Sequence, residues 1–267
     1  MFDAILQNKL IEQKQNTDTD SSQVPTCEAI CGAKYRRAFW VLFFVHTFVQ
    51  QSGISAVLIY INRMLVKIND QTGGDFPISP LIGAYCVGIA SCIFAFVGAL
   101  VVKCMGRKMT FVVGFFGMGF SHMLAGIALL KSWYLIGFLS MILYIAFFNS
   151  TVGNVAFIYT AEVAVDSAAG ITLSVQFFNM IIISSTVEYM IGGFFQVHGT
   201  FMYFGTWCIV AGIFCTIFVK ETKGLTDLEK KNLYSPDELP PTRIETLQTE
   251  GTERNPETEM TERNQIN

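Results

Sequence analysis

The sequence predicts an all-α membrane protein with six transmembrane helices. Three observations predict it: the placement of charge, six long apolar runs, and the lack of period-two alternation. The 267 residues are 52 % hydrophobic and only 15 % charged, with a mean hydropathy of +0.45. A water-soluble domain carries roughly 25 % charge. Residues 38–219 hold just eleven Asp, Glu, Lys or Arg, and the remaining charges crowd into the two ends. That central stretch cannot cover a globule with polar surface, which excludes an ordinary cytosolic enzyme and a secreted disulfide domain. The net charge of −3 offers no basic footprint and excludes a nucleic-acid partner.

A helix of about 20 apolar residues crosses the ~30 Å hydrocarbon layer. Six runs suit: 38–61, 80–102, 109–130, 133–160, 168–196 and 200–219. The fourth and fifth are long, so tilt or a kink is expected. The fifth and sixth are separated only by His198-Gly199. Membrane-spanning strands would alternate polar and apolar residues, and these runs do not. The expected domains are a linker over 1–37, the six-helix unit over 38–219, and an acidic tail over 220–267. Residues 11–24 read as a disordered tether. The tail holds a near-repeat at Thr252-Glu253-Arg254-Asn255-Pro256 and Thr261-Glu262-Arg263-Asn264-Gln265. One short amphipathic helix is expected at 224–233.

Lys and Arg orient the spans. Lys34, Arg36 and Arg37 precede the first run; Lys103, Arg107 and Lys108 lie between the second and third; Lys220, Lys223, Lys230 and Lys231 follow the sixth. The opposite side holds Arg63, Lys67 and Lys131. Both termini are therefore expected in the cytoplasm, with no cleavable signal peptide at the start. Cys27-x3-Cys31 reads as free thiols in a reducing compartment, and no cofactor or metal is expected. The glycines of Gly114-x-x-Gly117-x-Gly119 lie in an apolar helix, where small residues mean close helix packing.

Five short patterns recur at helix ends and centres. They are Tyr35-Arg36-Arg37-Ala38, Gln50-Gln51-Ser52-Gly53-Ile54, Gly106-Arg107-Lys108, Ala161-Glu162, and Lys220-Glu221-Thr222-Lys223-Gly224-Leu225-Thr226. In this order, over about 34–230, they resemble the C-terminal half of a sugar porter of the major facilitator superfamily. The resemblance implies helices seven to twelve of a twelve-helix carrier, arranged as an inverted 3+3 repeat. It also implies a hexose-like substrate, alternating access, and a second six-helix half as partner, either another copy or an N-terminal half. A plasma-membrane location goes with it.

The residues themselves carry part of this. Gln50, Gln51, Ser52 and Ser55 place amides and hydroxyls at membrane depth, where an unpaired polar group is costly. They face protein or a wet cavity, and their chemistry suits sugar hydroxyls; interhelical pairing is the alternative. The ungapped register matches Gln50 to the family's second glutamine and Ser55 to its asparagine. By the same resemblance Ser91, Asn149, Phe157 and Asn179 join the substrate set. Phe157 stands where the family has a stacking tryptophan. Arg107, Lys108 and Glu162 match a cytoplasmic gate. Lys103 and Ala169 depart from it, standing where the family carries an acid and an arginine. Val152, Asn154 and Ala156 replace a Gly-Pro-x-Pro stretch, with Gly153 kept as a hinge. Glu188 is the one acid well inside a run and is the candidate for proton coupling. Asn179 lies nine residues from it, ~180° around the helix. A truncated or regulatory non-transporting membrane module and a same-fold carrier of a non-sugar solute remain as alternatives.

Overall fold

A computed structural model describes residues 24–73, 77–193 and 195–236. The tether through residue 23, and the tail beyond 236 with its near-repeat, lie outside the described residues. Among the described residues every regular element is a helix. They are α1 (Thr26–Cys31), α2 (Arg36–Gln51), α3 (Ile54–Gln71), α4 (Pro80–Met105), α5 (Arg107–Leu130), α6 (Tyr134–Ser150), α7 (Val152–Val163), α8 (Asp166–Gly192), α9 (Gln196–Phe218) and α10 (Asp227–Asn232).

These build six helices long and apolar enough to cross a membrane, because α2–α3 and α6–α7 are each one interrupted span. The chain is an integral membrane protein by that length and composition. The first span covers 35 residues, Arg36–Asp70, rather than 38–61. Arg63 and Lys67 do not end it. Arg63 pairs with Glu188, and Lys67 Nζ donates to the Ile191 carbonyl at 3.1 Å, so both bases reach across to the neighbouring helix. The fourth span has its expected break, at Thr151. The fifth is one unbroken helix over Asp166–Gly192. The sixth begins at Gln196, because the chain turns at Gly193 and His198-Gly199 lie within the helix. A helix the sequence did not announce, α1, sits in the lead and buries Ala29 in the core. The short helix after the sixth span is present as α10, closed by a Thr226–Glu229 capping box.

The break in the first span sits at Ser52-Gly53. Gly53 has φ +85°, and an added Cβ would lie 2.6 Å from the Phe204 ring. Only glycine supplies that backbone at that distance. The break is braced from two neighbouring helices and by its own preceding turn. Nε2 of His122 donates to the Ser52 carbonyl at 2.9 Å, Tyr144 meets the Ser52 hydroxyl at 3.3 Å, and that hydroxyl donates back to Val49 at 2.7 Å. Apart from the aromatic core, small residues set the helix spacing. Gly117 lies under the Phe147 ring and Gly119 under Ile209, so α5 approaches α6 and α9 closely. The span windows on α4 and α8 are 22 % buried against 67 % for the first span, so these two helices keep broad uncovered faces.

Candidate functional site

Three groups of polar side chains lie inside or at the ends of the bundle. The first flanks the Gly53 break. Gln50, 4 % exposed, accepts at Oε1 from the Ser55 hydroxyl at 2.7 Å. Gln51, the next residue, has a buried Oε1 that meets no hydrogen-bond donor among the described residues. An amide oxygen left in that state costs free energy unless a donor reaches it.

The second group lies where α4, α6 and α7 meet. Asn149 donates to Ser91 Oγ at 3.0 Å and to the Ile145 carbonyl at 3.2 Å. Asn154 donates to the Asn149 carbonyl at 2.6 Å, which ties the start of α7 to the end of α6 across the Thr151 break. Asn154 occupies one of the positions where a Gly-Pro-x-Pro stretch was expected, and it holds that bend by hydrogen bonds instead of rings.

Phe157 is half exposed, with its ring centroid 6.4 Å from that of His46. Asn179 donates to the Val175 carbonyl of its own helix at 2.9 Å. The structure thus joins Gln50 to Ser55 and Ser91 to Asn149, while Asn179 bonds to none of them. Grooves of about 540 Å³ along Phe195, Met202 and Trp207, and of about 430 Å³ along Asp166, Gly170 and Ser174, are lined by none of these residues.

The third group closes the end of the bundle that holds both termini of the six-helix unit. Arg107 forks onto Glu162, with Nε at 3.2 Å and Nη2 at 2.6 Å. Bidentate pairing of this kind fixes orientation as well as charge. The Thr222 hydroxyl adds a third bond to Glu162 at 2.5 Å. Lys108 enters through its backbone: its N–H and that of Arg107 donate to the two Glu221 oxygens at 3.0 and 2.8 Å. Gly106, at φ +82°, leaves room for that carboxylate, since an added Cβ would lie 2.8 Å from Glu221 Oε2. Glu221 therefore caps the N-terminus of α5, where helix dipole and free amides attract an anion. Burial works to raise its carboxyl. Backbone N–H bonds from Lys223, Arg107, Lys108 and Thr222 outweigh burial and hold it below the ordinary carboxylate range.

The segment after the sixth span is strapped to the same end. Tyr234 is buried and meets the Tyr159 hydroxyl at 2.7 Å, and Lys231 donates to the Ala161 carbonyl at 3.1 Å and to that of Ala164. Sequence reasoning had no signal for Glu221 and Thr222 beyond their membership of the Lys220–Thr226 pattern. Glu188, at the opposite end, forms an ion pair with Arg63, both side chains more than half exposed.

Beyond these three, a fourth polar group lies inside the bundle, one that sequence reasoning did not single out. His46 is fully buried between α2, α7 and α8, bonded to Thr160 and Gln176. The signal was there: His46, Thr160 and Gln176 are polar residues within apolar runs, each on a different helix.

The family described as "Sugar (and other) transporter" matches residues 5–234. The chain is 24 % identical over 241 residues to a solute carrier family 2 facilitated glucose transporter member 2 of Gallus gallus, covering 86 % of this chain and 43 % of that protein. It is 26 % identical over 200 residues to the D-xylose-proton symporter of Escherichia coli K12, covering 71 % of this chain and 40 % of that one. The chain thus spans less than half the length of these curated relatives. Two solved structures share its fold. A crystal structure of double-Trp mutants of XylE superposes with TM-score 0.65 at 23 % identity over 76 % of this chain and 44 % of that one. A partially occluded, inward-open form of the E. coli xylose transporter XylE gives 0.61 at 24 % identity over 71 % and 41 %. All are transporters, not enzymes. An all-helical six-span unit with that match across nearly all its described residues is one half of a major facilitator fold, and the chain belongs to the sugar transporter family.

Proposed function

We propose that this chain is the C-terminal six-helix half of a sugar carrier that moves a hexose-like substrate by alternating access. The observation that carries the reading is the polar set at the Gly53 break. Gln50 and Ser55 are paired at membrane depth, and the Gln51 amide oxygen beside them is buried without a donor among the described residues. Sugar hydroxyls are donors of the required kind. Gln50, Gln51, Ser55, Ser91, Asn149, Phe157 and Asn179 form one wall of the pathway, and the half-exposed Phe157 ring offers an apolar face to a pyranose. The name of the Gallus gallus relative speaks of glucose and that of the E. coli relative of xylose with a proton.

In such folds the substrate lies between two halves that rock about it. The exposed faces of α4 and α8 are where a second half packs, supplied by another copy or by an N-terminal half. Arg107, Lys108 and Glu162 form the gate at the cytoplasmic end, on which both termini lie, in a plasma membrane. A coupling role for Glu188 is part of the same proposal, and Glu188→Gln is expected to flatten the pH dependence of uptake; an unchanged pH profile removes that role.

The test is uptake of radiolabelled glucose and xylose into proteoliposomes. The purified chain alone is expected to transport poorly. The chain joined to an N-terminal six-helix half of a sugar porter is expected to show saturable uptake. In that form Gln50→Ala is expected to lose about tenfold in kcat/KM, the worth of roughly one neutral hydrogen bond. Brisk saturable uptake by a demonstrated monomer overturns the half-carrier reading. No uptake of either sugar by the joined form overturns the sugar reading. A second reading, a regulator that transports nothing, is favoured by Ala169, which stands where the family has an arginine. It predicts that the chain lowers or raises the uptake of a co-expressed full-length relative.

A further inference from the structure

Two histidines are fully buried in the bundle, in contrasting surroundings. At His122, Nε2–H donates to the Ser52 carbonyl at 2.9 Å, while Nδ1 is buried and meets no partner among the described residues. Its ring lies against Tyr144, with centroids 4.0 Å apart, and against Phe201 at 5.5 Å. A proton on Nδ1 would place an unaccepted donor and a charge among aromatic rings.

His46 is engaged at both nitrogens, and by oxygens. Nδ1 meets Oε1 of Gln176, and Nε2 meets Oγ1 of Thr160 at 2.7 Å. The Thr160 hydroxyl hydrogen points elsewhere, to the Ala156 carbonyl at 2.8 Å, so its lone pairs face the ring. The ring form that donates from both nitrogens is the imidazolium. The neutral ring fits the same site after one change. A half-turn of the Gln176 amide presents its NH₂ to Nδ1, while Nε2–H keeps its bond to Thr160. Which amide atom faces the ring follows from the hydrogen-bond network. The two states therefore differ by one proton and one amide rotation, with the helices in place.

We propose that His46 is a proton-binding site, held by Thr160 and Gln176, that makes the tie between α2, α7 and α8 depend on pH. With the proton bound, both bonds are charge-assisted and about twice as strong as neutral ones, so acid clamps the three helices together. The half-exposed Phe157 ring, 6.4 Å from the imidazole, stands between the site and the open face of the bundle. Titratable groups on the packed helices are Arg36 and Arg37 on α2, Tyr60, Arg63, Lys67 and Asp70 on α3, Tyr159 and Glu162 on α7, Asp166, Glu188 and Tyr189 on α8, and His198, Tyr203, Cys208 and Cys215 on α9. None of them bonds to the ring. Glu162 is held by Arg107 and Thr222, Glu188 by Arg63, and Tyr159 by Tyr234.

The experiment is ¹⁵N-histidine NMR of the full chain in lipid nanodiscs, with signals assigned by His46→Asn and His122→Asn. His46 is expected to convert from neutral to imidazolium as pH falls toward about 5, while His122 stays neutral throughout. Gln176→Leu removes one acceptor and is expected to lower the His46 midpoint by about one pH unit, and Gln176→Glu to raise it by at least that much. Thr160→Val lowers it and Thr160→Ser restores it, which keeps the test open if a Gln176 variant does not fold. A His46 ring that remains neutral to pH 5, or a midpoint unmoved by both Gln176 and Thr160 variants, overturns the proposal.

Discussion

The two ends of the bundle use the same chemistry in different surroundings. At one end Arg107 and Glu162 are a partly buried pair, 21 % and 14 % exposed, and the Thr222 hydroxyl and the Lys230 ammonium, at 3.8 Å, also reach the carboxylate. At the other, Arg63 and Glu188 are 63 % and 51 % exposed and share that end with single bonds from Tyr60 to the Ser184 carbonyl and from Lys67 to the Ile191 carbonyl. Water and salt screen the second pair, and an exposed pair contributes little. The first pair is enclosed, so losing one partner leaves a charge with nowhere to go. The first end is therefore held together more firmly than the second.

The largest stability effect is therefore expected from Glu162→Gln, about 2 kcal/mol as a charged hydrogen bond is lost and Arg107 is left unpaired. Thermal unfolding in nanodiscs measures it, and a loss no greater than that of Glu188→Gln would break the comparison. Glu221→Gln is expected to cost about 1 kcal/mol, as for the loss of a helix N-cap. Its effect should depend on pH with a definite sign. The Glu221 carboxyl sits below its ordinary range in the folded chain, so its contribution is fully present above the ordinary carboxylate range. It fades as pH falls through the lowered folded value. Unfolding of wild type and Glu221→Gln should converge in acid and separate toward neutrality, and curves parallel at all pH contradict the capping role. The smallest effect is expected from Arg63→Ala, roughly 0.5 kcal/mol or less, and it should vanish in high salt. A larger, salt-insensitive loss would mean that the exposed pair holds its end as firmly as Arg107 and Glu162 hold theirs.

The two interrupted spans show how much of the site was legible beforehand. Gly53 belongs to the Gln50-Gln51-Ser52-Gly53-Ile54 pattern that the sequence displays, and it lies at the break, where φ +85° suits glycine. The second break, at Thr151, lies two residues before Gly153, the expected hinge, where an added Cβ would lie 2.9 Å from the Phe148 ring. There Asn154, bonded to the Asn149 carbonyl, does the bracing, and a lone asparagine in an apolar run names no partner in advance. Likewise Arg107, Lys108 and Glu162 were readable as a charged set at one end. Glu221 was not, because its partners are backbone amides of α5 that every sequence possesses.

The sequence by itself determined the class: apolar runs of bilayer length with eleven charges over 182 residues leave only membrane helices. It also determined which residues carry polar chemistry at depth, because a polar side chain in hydrocarbon must be used. Only the tertiary structure decided which of them meet. Periodicity fixes a residue's face on its own helix, but not which neighbour that face touches. So Gln50 with Ser55, Ser91 with Asn149, and His46 with Thr160 and Gln176 emerged only once the helices were packed.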